Sequence, residues 1–156
     1  MWFIRGLVAF IGRTMIAAIF LASAFGDKIP KFNDVVQGMT AEGIPQPKIL
    51  LAGAIVFLVL GGVSIVLGYR ARTGALLLLI FLAAATYYFH DFWKMAPDDP
   101  AQEEQIIQFM KNVSLMGTMV FLIANGPGPW SIDGRAAAKT DQDDDDEDDE
   151  DEYLVE

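Results

Sequence analysis

The chain has 156 residues, of which 53% are hydrophobic, and its formal net charge at pH 7 is -10. It contains no cysteine and one histidine, which excludes disulfides, thiol catalysis, thiolate-bound metals and haem held by two histidines of one chain. The acidic residues concentrate in residues 141–152, and the basic surface typical of a nucleic-acid-binding protein is absent.

The first predicted element is an apolar run over residues 6–26 that contains a single charge, Arg13. About 20 helical residues cross the roughly 30 Å hydrocarbon core of a bilayer, so the run predicts a membrane-spanning helix. A cleavable signal is the alternative, because the small residues at 22–24 resemble a cleavage site. We favour a retained helix, since Arg13 interrupts the apolar region and the run is longer than the usual signal core.

The connection over residues 27–48 is long for a helical bundle. Its segment VVQGMTAEGIP, residues 35–45, predicts a short helix across the mouth of the bundle, stopped by Pro45 and Pro47. Such a helix would act as a lid over the ends of the spans. An ordinary irregular loop is the alternative interpretation.

Residues 49–69 and 73–90 predict the second and third spans, joined by a tight basic turn that contains Arg70 and Arg72. Both runs are apolar on all sides, whereas the helices of a soluble bundle carry a polar face. The pattern therefore favours a membrane bundle over a buried soluble one. The short turn predicts that these two helices are antiparallel neighbours.

Residues 105–126 predict a fourth span, which is less apolar than the others. Near one face of this helix lie Gln105, Gln108, Lys111 and Asn112. Polar groups are unfavourable in lipid, so we expect this face to point into the bundle.

The expected fold is therefore all-α: a polytopic membrane protein with a bundle of four transmembrane helices in residues 1–134. An acidic tail follows over residues 135–156. The tail repels itself and lacks apolar residues for a core, so we expect it to be disordered. Its function is either solubilising or the recruitment of a basic partner.

The distribution of Lys and Arg near the ends of the spans predicts the orientation. The compact turn with Arg70 and Arg72 lies on the side of both termini, which predicts that the termini are cytoplasmic in a plasma membrane, the inner membrane of a bacterium. The connections 27–48 and 91–104 then face outward. The terminal side carries Arg5, Arg70, Arg72, Arg135 and Lys139, and the other side carries Lys28, Lys31, Lys48 and Lys94.

Six features of the chain occur in a distinctive order: an arginine in the first span, FLASAFGDKIPKF at its exit, GGVSIVLGYRARTGALLLLIFL across the next two spans, FHDFW, QFMKN and a closing GPGPWSIDG. Together, over about residues 8–134, they resemble the DoxX family of small four-helix prokaryotic membrane proteins. The resemblance implies association with membrane oxidoreductase systems. The chain departs from the family at one point: many members carry an acidic residue in the second span just before two glycines, whereas this chain has Leu58 and apolar neighbours there. Any proton-transfer or ligand-binding role of that acidic residue is therefore not assigned to this chain.

Arg13 lies on the order of 10 Å inside the first span, where a lone arginine costs roughly 2.5–3.5 kcal/mol. We hypothesise that the GPGPWSIDG segment folds back so that Asp133, together with Asn125, meets Arg13 and forms a structural ion pair. The alternative is that Arg13 snorkels to the cytoplasmic interface.

A second polar cluster is expected at the opposite ends of the spans. Three helix ends bring Lys28, His90 and Lys111 toward one region, with Trp93 and Asn112 beside them. A cation-rich pocket under an aromatic rim suits a quinone head group, another oxyanion or a lipid phosphate, and histidine can donate a hydrogen bond to a quinone carbonyl. The alternative is an ordinary interfacial belt, because aromatic side chains anchor any helix end.

The favoured function is a non-catalytic accessory subunit of a membrane oxidoreductase or redox-stress assembly that binds quinone or lipid at its outer face. Its expected partners are the lipid bilayer and redox protein subunits, not nucleic acid, and no covalently bound cofactor is expected. The alternatives are a small carrier or permease for a lipophilic or anionic solute, and a scaffold that recruits partners through its tail. The sequence predicts no catalytic set and no metal-ligand cluster.

Overall fold

The computed structural model describes residues 2–96 and 99–135, and all regular structure in this part of the chain is helical. The α-helices, in chain order, are α1 (Trp2–Ser23), α2 (Phe32–Ala41), α3 (Pro47–Leu67), α4 (Ala71–Phe89) and α5 (Gln102–Asn125). A π-helical turn, Ala24–Lys28, extends α1, and a 3-10 turn, Phe92–Lys94, follows α4. The predicted all-α fold is confirmed. The acidic tail beyond Arg135 lies outside the described residues.

Within residues 2–96 and 99–135, four helices are long and apolar enough to cross a bilayer. The corresponding segments are Phe3–Lys28, Pro47–Leu67, Ala71–Lys94 and Gln102–Asn125. Large apolar side chains cover the outside of the bundle; Leu60 is 56% exposed and Phe121 is 65% exposed. A soluble monomer rarely exposes so continuous an apolar surface, whereas lipid solvates it well. The four predicted spans are confirmed, and the chain is an integral membrane protein.

α3 and α4 are the inner helices of the bundle, since α3 packs against α1 and α4, and α4 packs against α3 and α5. Two adjacent glycines allow this close approach. A Cβ atom on Gly61 would lie 2.9 Å from the carbonyl oxygen of Gly74, and one on Gly62 would lie 2.7 Å from Cδ2 of Leu21. Lipid supplies no hydrophobic drive between helices, so such tight van der Waals contact is a principal source of their association.

The α3–α4 turn is built by backbone geometry rather than by its basic side chains. Gly68 has φ +64°, and its N–H donates to the carbonyl of Ile65 while the N–H of Tyr69 donates to the carbonyl of Ser64. This Schellman arrangement satisfies carbonyls at the end of α3, and glycine adopts the positive φ without strain. α4 begins at Ala71, so the two helices are adjacent, as the short turn predicted. This end of the bundle is called the turn end.

α2 covers the opposite end of the bundle, called the α2 end. Val36 and Met39 of α2 form a small apolar cluster with Ile44 and Leu51. This burial explains why the segment is helical, since its apolar side chains are spaced to meet α3 on one face.

The boundaries of α2 differ from the sequence prediction. A short helix was expected over residues 35–45, stopped by two prolines, but α2 covers Phe32–Ala41. The chain leaves the helix at Gly43, which has φ +71°. Pro47 instead lies in the first turn of α3, where a missing N–H is tolerated because that group would have no helical partner.

Candidate functional site

Arg13 is buried in α1, with 3% of its surface exposed. Its Nη1 donates to the carbonyl oxygen of Pro127 and, at 3.2 Å, to that of Pro129; its Nη2 donates to the carbonyl oxygen of Trp130 at 2.7 Å. The closing segment therefore folds back onto Arg13, but it meets the guanidinium with backbone carbonyls rather than with an acid.

The predicted ion pair between Arg13 and Asp133 is absent from the described structure. The carboxylate of Asp133 accepts hydrogen bonds from the backbone N–H groups of Arg70 at 2.8 Å and Ala71 at 2.9 Å. It thus caps the N-terminus of α4, where unpaired N–H groups and the helix dipole favour an anion. Asn125 also takes no part, since its Nδ2 donates to the carbonyl of Phe121 one turn earlier.

The shape of the closing segment explains how three carbonyls converge on one side chain. Gly126, Gly128 and Trp130 all have positive φ values, of +72°, +74° and +55°. These turns redirect the backbone within a few residues. The Trp130 ring lies directly on Gly6 of α1, where a Cβ atom would come within 2.4 Å of it.

A cavity of about 840 Å³ lies at the α2 end of the bundle. Residues from α1, α3, α4 and α5 line it, and α2 and its following loop contribute Val35, Met39 and Ile44. Four of the five residues predicted to form a ligand site are part of this lining: Lys28, His90, Lys111 and Asn112. The structure therefore places them around one cavity, while binding of a ligand there stays a prediction.

Lys28 reaches the cavity through the π-helical turn at the end of α1. Its Nζ donates to Oγ of Ser23 at 2.8 Å and lies 3.9 Å from a carboxylate oxygen of Asp27. A π-helix closes a hydrogen bond between residues five apart, which brings Ser23 and Lys28 onto neighbouring positions of one face. The ammonium also lies 5.8 Å from the centroid of the Phe81 ring, within cation–π range.

His90 ends α4 and is held by a residue of α5. Its Nδ1 lies 2.9 Å from Oε1 of Gln105. When the amide oxygen of Gln105 accepts this hydrogen bond, Nδ1 carries the proton, and Nε2 is free to bond to a ligand. The hydrogen bond fixes the ring orientation at the rim of the cavity.

Asn112 and Lys111 are consecutive on α5 but have different surroundings. Asn112 Nδ2 donates to Oγ1 of Thr86 at 3.0 Å, and Thr86 is buried in α4. This bond ties α4 to α5 at the floor of the cavity. The Lys111 ammonium has neither a hydrogen-bond acceptor nor an acidic partner within residues 2–96 and 99–135.

Trp93 does not line the cavity, which corrects its place in the predicted ligand site. It is 51% exposed and packs edge-to-face against Phe92 and Phe109, with ring centroids 5.4 and 6.0 Å away. The indole belongs to the 3-10 turn that follows α4. This arrangement is typical of the interfacial aromatic belt that was the alternative interpretation.

Ser23, Thr86 and Gln105 were not predicted as site residues, although each holds a lining side chain in place. Gln105 lay on the predicted polar face of the fourth span, which was a usable signal. Ser23 gave no signal, because its contact with Lys28 depends on a π-helical turn that an α-helical periodicity does not reveal.

Comparison with protein families supports the membrane assignment. The family model described as DoxX matches residues 8–91. No solved structure matches this chain.

Among curated proteins, the chain is 33% identical to the inner membrane protein YphA of Escherichia coli K12 over 131 residues, which cover 84% of this chain and 91% of YphA. It is 29% identical to the inner membrane protein YqjF of the same organism, over 79% of this chain and 87% of YqjF. A shorter match, 28% identical, covers 44% of this chain and 23% of a Surfeit locus protein 4 homolog of Schizosaccharomyces pombe.

Proposed function

The chain belongs to the DoxX family, and from that premise we propose that it binds a quinone in the cavity at its α2 end. It does so as a non-catalytic accessory subunit of a membrane oxidoreductase or redox-stress assembly. The observation that carries the proposal is the convergence of Lys28, His90 and Lys111 on one largely apolar cavity.

The size and lining of the cavity suit a quinone head group. Ligand sites are typically 300–1,000 Å³ in volume and mostly apolar, with a few polar groups that fix the orientation of the ligand. A quinone ring is flat and apolar, and its two carbonyl oxygens only accept hydrogen bonds. The lining supplies flat apolar contacts through Phe81 and Tyr88, and donors through Lys28 and Lys111.

His90 suits both oxidation states of such a ligand. With Nδ1 bonded to Gln105, a neutral imidazole presents Nε2 as an acceptor for a quinol hydroxyl. The protonated ring instead presents an N–H donor for a quinone carbonyl. Its fixed orientation means that little side-chain entropy is lost when the ligand binds.

An accessory role fits the chemistry of the proposed site. Ammonium, imidazole and amide groups bind and orient a quinone, but they do not exchange electrons with it. The sequence has no cysteine, and the described residues hold no group of three or more His, Cys, Asp or Glu side chains placed to bind a metal. Electrons would therefore come from a partner subunit, such as a flavin or haem protein.

The proposed location is the inner membrane, with both termini in the cytoplasm. The two Escherichia coli relatives are named inner membrane proteins, which supports the location. The orientation is supported by Arg70 and Arg72 in the turn at the turn end, because basic residues near spans favour the cytoplasmic side.

Quinone titration of the purified chain in phosphatidylcholine nanodiscs tests the proposal. Lys111→Ala should weaken the binding of a ubiquinone-type head by about tenfold, which corresponds to roughly 1.4 kcal/mol, and Lys28→Ala and His90→Ala should weaken it in the same direction. Lys48→Ala is the matched control, since Lys48 is exposed at the same end and does not line the cavity. Equal affinity for all four variants would reject the site.

The accessory role is tested separately by purification from native membranes in mild detergent. A flavin or haem protein that co-purifies supports the assembly. Co-purification that is lost on deletion of residues 139–156 would favour a scaffold that acts through the tail. Solute transport in proteoliposomes that is lost in Lys111→Ala would favour a carrier.

A further inference from the structure

We propose that the isoprenoid tail of the quinone leaves the cavity sideways, through a groove between α1 and α5, and enters the bilayer there. This inference rests on the proposed function and assigns the place of the apolar part of the ligand.

The groove is a second depression, of about 560 Å³, on the lipid-facing side of the bundle. Its lining includes Ile19 of α1 and Ile107, Met110, Lys111, Ser114 and Leu115 of α5. Ser114 lies twelve residues after the start of α5, or about 18 Å along the helix axis at 1.5 Å per residue. The groove therefore lies at the depth of the hydrocarbon core, where an isoprenoid tail is soluble.

The groove adjoins the cavity. Ile19, Lys111 and Leu115 line both. On this side the backbones of α1 and α5 approach less closely than those of α3 and α4 in the described residues, although buried side chains of α1 and α5 share one core cluster. A tail that left the cavity on this side would pass Ile19, Lys111 and Leu115 and reach lipid at the groove.

Lys111 stands where the two spaces meet. Its long apolar stem can follow the groove wall while its ammonium reaches the head-group oxygens in the cavity, as lysine side chains commonly do at such boundaries. The opposite side of the cavity is lined by Ile49, Leu50 and Ile80, which are exposed but offer no charge. The ammonium of Lys111 therefore indicates that the junction between the quinone head group and its isoprenoid tail lies on the α1–α5 side.

The groove acts as a passage rather than as a source of affinity. Lipid is as apolar as the groove lining, so the tail gains little free energy when it moves from lipid into the groove. A steric block should therefore exclude a tailed quinone from the cavity without affecting the head group alone.

The test uses the full chain in phosphatidylcholine nanodiscs and two probes: a ubiquinone-type head without a tail, and the same head with a long isoprenoid tail. Ser114→Trp fills the groove, and Val113→Trp is the matched control, since Val113 is adjacent, exposed and lines neither space. We expect Ser114→Trp to weaken binding of the tailed quinone by about tenfold or more through steric exclusion, with the affinity for the tailless probe unchanged. Val113→Trp should change neither affinity.

The outcomes separate this inference from the proposed function. If Ser114→Trp leaves the tailed quinone unaffected while Lys111→Ala still weakens the tailless probe, the lateral exit is wrong and the head-group site stands. Ala84 lines the cavity beside α3 and α4. If Ala84→Trp blocks the tailed quinone while the tailless probe still binds, and Ser114→Trp blocks neither, the tail leaves between those helices and the inference is again wrong. If the wild-type chain binds neither probe, both proposals fail.

Discussion

At the scale of single residues, Arg13 and Lys28 of the first span are stabilised in different ways. Arg13 donates to three backbone carbonyls, and its planar guanidinium, with donors in several directions, suits such a set of acceptors. Lys28 has one hydroxyl acceptor, Ser23, and lies closer to the interface. In both cases fixed dipoles replace the water that a charge loses on entering the membrane domain.

Arg13→Met should destabilise the chain because it leaves three carbonyls of the closing segment without a donor. We expect the free energy of unfolding to fall by roughly 1.5–3 kcal/mol, the usual range for hydrogen bonds to a charged group. SDS titration in mild detergent, followed by circular dichroism, measures this change.

Arg5→Met is the control for loss of charge, since Arg5 is exposed on the same helix. If the two variants unfolded at the same SDS concentration, the carbonyl contacts of Arg13 would contribute nothing to stability.

At the scale of elements, the geometry of the helix backbones determines which side chains meet. The π-helical turn after α1 aligns Ser23 with Lys28, and the positive φ of Gly68 lets α3 and α4 lie side by side. The absence of a side chain at Gly61 and Gly74 then lets these two helices approach closely. The π-helical turn and the glycine positions thus determine where polar side chains such as Lys28 lie.

Gly61→Ala should destabilise the α3–α4 contact, because its Cβ would lie 2.6 Å from Cγ of Leu78 and 2.9 Å from the carbonyl of Gly74. Overpacking of this kind costs about 1–3 kcal/mol. The same SDS titration measures the loss.

Gly53→Ala is the matched control on the same helix, since no heavy atom lies within 4 Å of its Cβ position. Its unfolding free energy should stay within about 0.5 kcal/mol of the wild type. An equal loss in both variants would attribute the effect to α3 itself rather than to its contact with α4.

At the scale of the whole molecule, the closing segment packs across one end of the bundle, and a cavity lies at the other end. At the turn end, the closing segment packs on α1 through Arg13 and caps α4 through Asp133. At the α2 end the spans enclose the cavity, with α2 across it. A binding site can therefore occupy one end while the other holds the helices together.

The orientation of the bundle is tested with single cysteines, which the cysteine-free chain makes direct. A membrane-impermeant maleimide added to intact spheroplasts should label Lys31→Cys and Lys94→Cys but not Tyr69→Cys, because positive residues in the turn favour the cytoplasm. The wild-type chain is the unlabelled control. Labelling of Tyr69→Cys alone would invert the orientation, and labelling of only one of the two lysine positions would contradict the four-span arrangement.

The amino-acid sequence by itself determined the four spans, the tight α3–α4 turn and the polar face of α5. These properties depend on the length and hydropathy of contiguous residues, and a bilayer selects helices on that basis alone. The sequence also indicated which end of the bundle carries Lys28, His90, Lys111 and Asn112, because the limits of each predicted span show where its helix ends.

Only the tertiary structure decided which groups these side chains meet. Every residue carries a backbone carbonyl, so no residue type marks Pro127 and Trp130 as partners of Arg13 more than 100 positions away. The orientation of Trp93 and the pairing of His90 with Gln105 depend in the same way on rotations of helix ends that hydropathy does not encode. Local composition specifies where a helix lies in the membrane, whereas hydrogen-bond partners follow from the packed arrangement of the helices.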